Sequence, residues 1–234
     1  MRISDFKEGL AGGVPIALGY LSVSFAYGIM AANGGLDPLS AVMISMTNLT
    51  SAGQLAGTQL IFDMANYLQI AVTTLVINLR YMLMSMSLSQ RVEPSMSTGQ
   101  RMLVSFGITD EIFAVSYQRE KSPNTPYMLG LIALPYVGWA LGTFLGSAAS
   151  YILPERLCSA LGIAIYGMFV AIVIPQCRKS RPVLVVAVIA AALSCCIKYI
   201  PVLSAIPTGW AIIICTVAAS VMGAIIFPTE EGEA

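Results

Sequence analysis

The sequence predicts an all-α, polytopic transmembrane helix bundle of about six or seven spans. Hydrophobic residues make up 57% of the chain and charged residues only 10%, less than half the roughly 25% of an average soluble domain. The charges are confined to short patches. Between them lie apolar runs that reach or exceed the roughly 20 residues needed to cross a bilayer core. The whole chain, residues 1–234, reads as a single integral membrane domain.

Taken in order, the first run extends uncharged from Gly9 to Leu36. Arg2 and Lys7 precede it as in a signal peptide, but it far exceeds the roughly 7–15 apolar residues of such a leader, so a retained span is expected. Asp37-Pro38 marks a turn. Leu39 to Phe62 is also uncharged but carries a polar, glycine-containing insert at Thr47, Asn48, Thr50, Ser51, Gly53 and Gln54. Such backbone at membrane depth survives only where it lines a cavity or is buried in protein. A broken helix or re-entrant hairpin is therefore expected near residues 47–57. The third span, Tyr67 to Ser89, holds Asn78, Arg80 and the gap-filling methionines Met82, Met84 and Met86.

The longest polar stretch follows, Arg91 to Tyr127. Within it Met102 to Tyr117 is moderately apolar, with Thr109, Asp110 and Glu111 at its centre. It is too short and too charged to span, and is expected to pack as one half-buried helix. Four further spans are expected at Tyr127–Leu153, Leu157–Pro175, Pro182–Ile200 and Pro207–Phe227. Gly138, Gly142 and Gly146 repeat every four residues, which aligns them on one helix face as a seam for close helix contact. That seam is open to a small helical partner. Lys198 snorkels to the interface, and Glu230, Glu231 and Glu233 form a solvated tail.

Basic loops mark the cytoplasmic side. Arg91, Arg101, Arg119 and Lys121 form one basic set; Arg178, Lys179 and Arg181 form another two spans later. The N-terminus lies outside if the second segment crosses fully. It lies inside if that segment is re-entrant, which Arg2 and Lys7 favour.

Several chemistries are excluded by composition. The formal net charge of zero supplies no basic face for nucleic acid. There is no histidine, which removes histidine metal sites, general bases and proton relays. No phosphate-binding Gly-x-x-x-x-Gly-Lys-Ser/Thr and no Gly-x-Ser-x-Gly occurs. Cys158, Cys177, Cys195, Cys196 and Cys215 have no metal or redox spacing and read as small packing residues. Neither an enzyme nor a cofactor or metal site is expected.

Arg80 is the strongest pointer to function. Its charge at mid-span costs roughly 2.5–3.5 kcal/mol on insertion scales, so it must face water, a carboxylate or a polar substrate. Asp110 and Glu111, flanked by Phe106, Ile108, Ile112 and Phe113, are the candidate partners and the candidate proton carriers. A plain structural salt bridge is the alternative. Asn48, Gly53 and Gln54 at the chain break, with Asn78, Arg80 and Tyr81, make a candidate substrate-binding set. Interhelical hydrogen bonding is the alternative for the amides.

The segments Thr50-Ser-Ala-Gly-Gln-Leu-Ala, Ile77-Asn-Leu-Arg-Tyr and Gly107-Ile-Thr-Asp-Glu-Ile-Phe-Ala, in that order, resemble the AzlC family. The likeness extends to Gly9–Gly28 and to Ala160-Leu-Gly-Ile-Ala-Ile-Tyr-Gly-Met-Phe. AzlC-type proteins are large subunits of branched-chain amino acid exporters, some of which carry methionine. The resemblance implies a small AzlD-like membrane partner and secondary-active export across the cell membrane. The chain departs from the family at Tyr81, where histidine is frequent, and at Gly53-Gln54-Leu55, where the usual pattern is Ala-Gly-x-x-Gln-Phe. A competing expectation is an accessory subunit that stabilises another membrane protein without transport.

Overall fold

The computed structural model describes residues 3–228. The readings of Arg2 and of Glu230, Glu231 and Glu233 lie outside that range, as does the side chain of Cys158. Among the described residues the chain is helical, in ten elements: α1 (Ile3–Asn33), α2 (Pro38–Thr47), α3 (Ser51–Phe62), α4 (Tyr67–Ser89), α5 (Thr98–Phe106), α6 (Asp110–Gln118), α7 (Thr125–Ala149), α8 (Glu155–Lys179), α9 (Arg181–Tyr199) and α10 (Thr208–Ile226). Of these, α1, α4, α7, α9 and α10 are long and apolar enough to cross a membrane. The 25 residues of α8 contain the expected Leu157–Pro175 span. The helices fall into two compact units: Met1–Leu55 with Asn78–Ile165, and Ala56–Ile77 with Tyr166–Ala234.

The first unit is built on α1 and α7, joined through small residues. A Cβ on Gly9 would overlap the Tyr127 carbonyl, one on Gly28 the Thr143 carbonyl, and one on Gly146 the Phe25 carbonyl. Gly138 lies on Ala17 and Gly142 on Leu21 and Ser24. The expected glycine face of α7 is thus real, but the α1 backbone at Ala17, Leu21 and Phe25 fills it, so it is not free for a second protein. Pro135 cannot donate to the Leu131 carbonyl four residues back. Gly13 lies against that carbonyl, where a Cβ would sit 2.8 Å away.

Along the seam the residue numbers of α1 and α7 rise together, so the two helices run parallel. Parallel neighbours require a net crossing between them, and α4 is the one helix between them of membrane-crossing length among the described residues. The other four helices must therefore enter and leave on the same side, and their contacts agree.

Asp37 starts α2, its Oδ1 accepting from the Leu39 and Ser40 amides at 3.0 Å. Hydrogen bonds from Ser40 hold the Asp37 carboxyl below its usual pKa. The last turn of α2 ends beside the middle of α7, where Tyr136 donates to the Met46 carbonyl at 3.0 Å. The helix breaks at Asn48–Thr50. On leaving, α3 sets Gly53 against Asn78 and Gly57 against Thr74, so it runs antiparallel to α4, back toward the end where α4 begins. The broken segment is a re-entrant hairpin.

A second hairpin replaces the single helix expected over 102–117. Ser97 and Gln100 form a reciprocal capping box that starts α5, and Arg101 donates to the Ser89 carbonyl at the end of α4, 3.1 Å away. Gly107, packed on Ile132, ends α5. Thr109 then caps α6, its Oγ1 accepting from Ile112 N. Asp110 and Glu111 fall in the first turn of α6, where acidic residues complement the amide end of a helix, rather than in mid-helix. Thr109 meets Tyr20, Val115 lies beside Gly12, and Arg119 reaches Glu8. Hence α6 runs antiparallel to α1, back to the start of α1. That basic end is tied down by Arg119, which donates to both Glu8 oxygens at 2.8 Å, lies 3.6 Å from Asp5 and stacks 4.0 Å over the Tyr127 ring. The start of α1 thus shares a side with Arg91, Arg101 and Arg119, the arrangement expected for a re-entrant second segment.

In the second unit α9 and α10 pack through Gly223 on Val186, and the first turns of α4 meet α10 where Gly209 lies on Gln69 and Thr73. Lys198 stands in the last turn of α9, as expected for a snorkelling lysine. Cys195 and Cys196 are exposed and Cys177 and Cys215 half-buried, all as free thiols. The exposed pair are therefore surface groups, not the packing residues expected.

The α1–α7 seam makes a direct prediction. Gly28→Leu is expected to lose about 3 kcal/mol of stability, the upper end for overpacked interiors. Gly19→Leu on the same helix, where a Cβ meets nothing within 4 Å, is expected to be silent. Thermal unfolding of the purified protein in detergent checks both.

Candidate functional site

The two hairpins enter from opposite sides and their tips meet halfway along α7. Tyr136 touches both: its hydroxyl holds Met46 of the first, and its ring lies edge-on to Phe106 of the second, 6.2 Å between centroids. Around this point stand the residues singled out from sequence.

Arg80 Nη1 lies 2.9 Å from Asp110 Oδ2, an ion pair in which 42% and 41% of the two side chains stay uncovered. The guanidinium also donates to the Tyr81 hydroxyl at 3.0 Å and lies 4.9 Å from that ring. Of the two candidate carboxylates, therefore, Asp110 takes the arginine. Glu111 turns to α1 instead, its Oε2 accepting from the Tyr20 hydroxyl at 2.5 Å. Tyr20 lies equally close to Thr109 Oγ1, so one phenolic proton is shared between two acceptors on the second tip. Sequence reading missed Tyr20. Nothing local marks it, since an aromatic in an apolar span looks like packing.

The first tip is held by a closed polar ring. Trp139 Nε1 donates to Gln54 Oε1 at 2.9 Å, and Gln54 Nε2 donates to Ser45 Oγ at 2.6 Å. The Ser45 and Thr143 hydroxyls are 2.7 Å apart, and Thr143 Oγ1 donates to the Trp139 carbonyl at 3.1 Å. All four side chains are buried. Both ends of the Gln54 amide are therefore occupied within the protein, and its geometry is that of an interhelical fastener. Trp139, Ser45 and Thr143 were also missed, because the ring joins α2, α3 and α7 across distant parts of the sequence.

Asn48 ends α2, and its Oδ1 accepts from the Thr50 hydroxyl at 3.0 Å. Gly53 leaves room for Asn78: a Cβ there would sit 2.6 Å from Asn78 Oδ1 and 2.5 Å from Thr50 Oγ1. Asn78 Oδ1 is buried with no hydrogen-bond donor, an acceptor held ready beside the helix break. The structure thus brings Asn48, Gly53 and Asn78 together at the first tip, with Arg80, Tyr81, Asp110 and Glu111 at the second. Among the described residues no cluster of three or more Cys, Asp or Glu side chains is placed to hold a metal ion.

The ring yields a prediction. Gln54→Leu leaves the Trp139 N–H buried without an acceptor and is expected to cost about 1–3 kcal/mol. The cost is read as a lower unfolding temperature than that of Gln59→Leu, a change at a solvent-side amide.

Comparison with known proteins places the chain. The inner membrane protein YgaZ of Escherichia coli is 27% identical over 200 residues, covering 82% of this chain and 81% of its own length. A membrane protein of Archaeoglobus fulgidus is 29% identical over 178 residues, 74% of this chain and 76% of its own. The branched-chain amino acid transport protein AzlC of Bacillus subtilis is 22% identical over 181 residues, 75% of this chain and 69% of its own. No solved structure matches. The family model described as AzlC protein matches residues 15–153, more than half of the chain and nearly all of both hairpins and the α1–α7 seam, and this multi-pass membrane protein belongs to the AzlC family.

Proposed function

We propose that this chain is a transporter rather than an enzyme: the large subunit of a two-component exporter of branched-chain and other neutral amino acids, methionine included. It acts as one transporter domain in the cytoplasmic membrane, with the basic end of α1 facing the cytoplasm. The observation that carries the reading is the Arg80–Asp110 pair at the meeting point of two oppositely inserted hairpins. Broken helices with charged or polar groups at their midpoint are how membrane transporters hold a small zwitterion.

The groups present divide the labour. The substrate carboxylate is received by Arg80, in competition with Asp110, and by the free amides at the start of α3. Its ammonium is received by Asn78 Oδ1, the buried acceptor without a donor, with Asn48 beside it. Gly53 keeps that approach open and Tyr81 steadies the guanidinium. Gln54 positions the tip. Uphill export needs an ion gradient, since no nucleotide-binding motif is present. Glu111, which has no cationic partner of its own, is the proton carrier.

A half-uncovered ion pair at this depth cannot face acyl chains. With the α7 seam already filled, this polar face is where a small AzlD-like subunit fits, completing the cavity wall. The relative named as a branched-chain amino acid transport protein supports the substrate class.

The experiment is efflux of labelled valine, leucine, isoleucine or methionine from preloaded cells that express the chain with and without its small partner. Efflux requiring both proteins and abolished by a proton uncoupler is expected. Unchanged efflux in the absence of the chain would leave it an accessory subunit. Arg80→Ala is expected to abolish efflux, while Arg80→Lys, which keeps the charge but loses the planar fork, retains a measurable part. Glu111→Gln is expected to keep substrate exchange and lose accumulation against a gradient, read by counterflow and net uptake in the same vesicles.

A further inference from the structure

We propose that Tyr20 and Trp139 are positioning residues that link the protonation state of Glu111 on one hairpin to the seating of the opposite hairpin. The inference rests on the reading of Glu111 as the proton carrier and adds the path by which its charge is felt elsewhere.

The geometry is a continuous chain of contacts. Glu111 Oε2 accepts from Tyr20, whose hydroxyl is also 2.5 Å from Thr109 Oγ1. The Tyr20 ring meets Trp139 edge to face, 5.2 Å between centroids at 71°. The Trp139 indole donates to Gln54, and Gln54 to Ser45. Tyr20 and Trp139 thus lie on the rigid α1–α7 pair, one contacting the tip that carries Glu111 and the other the tip that carries the helix break. Both rings are buried, so one cannot reorient without pressing on the other.

The step is a simple protonation. A hydronium ion gives its proton to the Glu111 carboxylate: one O–H bond forms on the carboxyl group, one breaks on the hydronium, and water is left. As a carboxylate, Glu111 draws the Tyr20 proton in a charge-assisted hydrogen bond, the stronger kind. As a carboxylic acid it is a weak acceptor and a donor in its own right, and Thr109 Oγ1 becomes the better partner for Tyr20. The shift moves the phenol along α6, the ring edge against Trp139 follows, and the Trp139–Gln54 bond that seats the first tip is loosened. Three other ionisable groups act on Glu111: Tyr20 itself from α1, Tyr81 from α4 and Asp110 on α6, while Arg80 on α4 is paired with Asp110. On α7, Tyr136 is engaged with Met46.

Tryptophan emission tests this without any transport assay. The chain has two tryptophans: Trp139 is 4% exposed and Trp210 41%. Trp210→Phe leaves Trp139 as the single reporter in the full-length protein, purified in detergent with its small partner if that is needed for stability. Its emission is expected to differ between acidic and neutral solution. The change is expected to be lost in the Glu111→Gln background and equally in Tyr20→Phe, which keeps the ring and deletes only the hydroxyl. A pH-independent signal, or a change that persists in Tyr20→Phe or in Glu111→Gln, overturns the link. Because no substrate is added, a wrong assignment of export leaves this result interpretable. Failure of the link in turn leaves the efflux experiments standing.

Discussion

The parallel contact between α1 and α7 is the constraint on which the first unit depends. Lipid gives no hydrophobic force to press helices together, so close approach must come from shape. Here it comes from glycines on both partners, each laid against a backbone carbonyl of the other. Once the two helices are parallel, the intervening chain has to make one net crossing. A single long helix, α4, supplies it. Everything else between them must turn back within the membrane, and the two re-entrant hairpins follow from this requirement.

Turning back within a membrane is costly for the backbone, because the amides and carbonyls at each tip lose their helical partners where no water is at hand. The chain meets this cost with side chains. At the first tip the Tyr136 hydroxyl takes the Met46 carbonyl, and Gln54, Ser45, Thr143 and Trp139 pair their own polar groups in a ring. At the second, Thr109 caps α6, and two carboxylates find Arg80 and Tyr20. The asymmetry is informative. One tip is neutral and sealed apart from the Asn78 acceptor; the other is charged and half open. On the proposed reading, a site that admits a zwitterion and exchanges a proton has use for both.

The basic end makes the orientation robust. Arg91, Arg101 and Arg119 do more than bias insertion, since each donates to backbone carbonyls of neighbouring loops. Arg119, only 7% exposed, also clamps Glu8 and Asp5 at the start of α1. Charges that set topology therefore also fix the ends of both helices in the central pair.

The sequence by itself determined the membrane class, the positions of the long apolar spans and the break near Asn48, because each depends on local quantities: run length, charge placement and polar residues within an apolar segment. It also narrowed the charged site to Arg80 with Asp110 or Glu111, since a charge inside a span needs a partner and few were available. Tertiary structure decided the rest. Whether the broken segment crosses or returns is set by the direction of α7 relative to α1, a pairing of residues more than a hundred positions apart. The division of Asp110 to Arg80 and Glu111 to Tyr20 depends on the first-turn geometry of α6, which splits a stretch that reads as one helix. The destination of the α7 glycines could not be read from α7 alone, because a small-residue face specifies close contact without specifying the partner. That partner is α1, whose own glycines look unremarkable in an apolar run until the two helices are laid side by side.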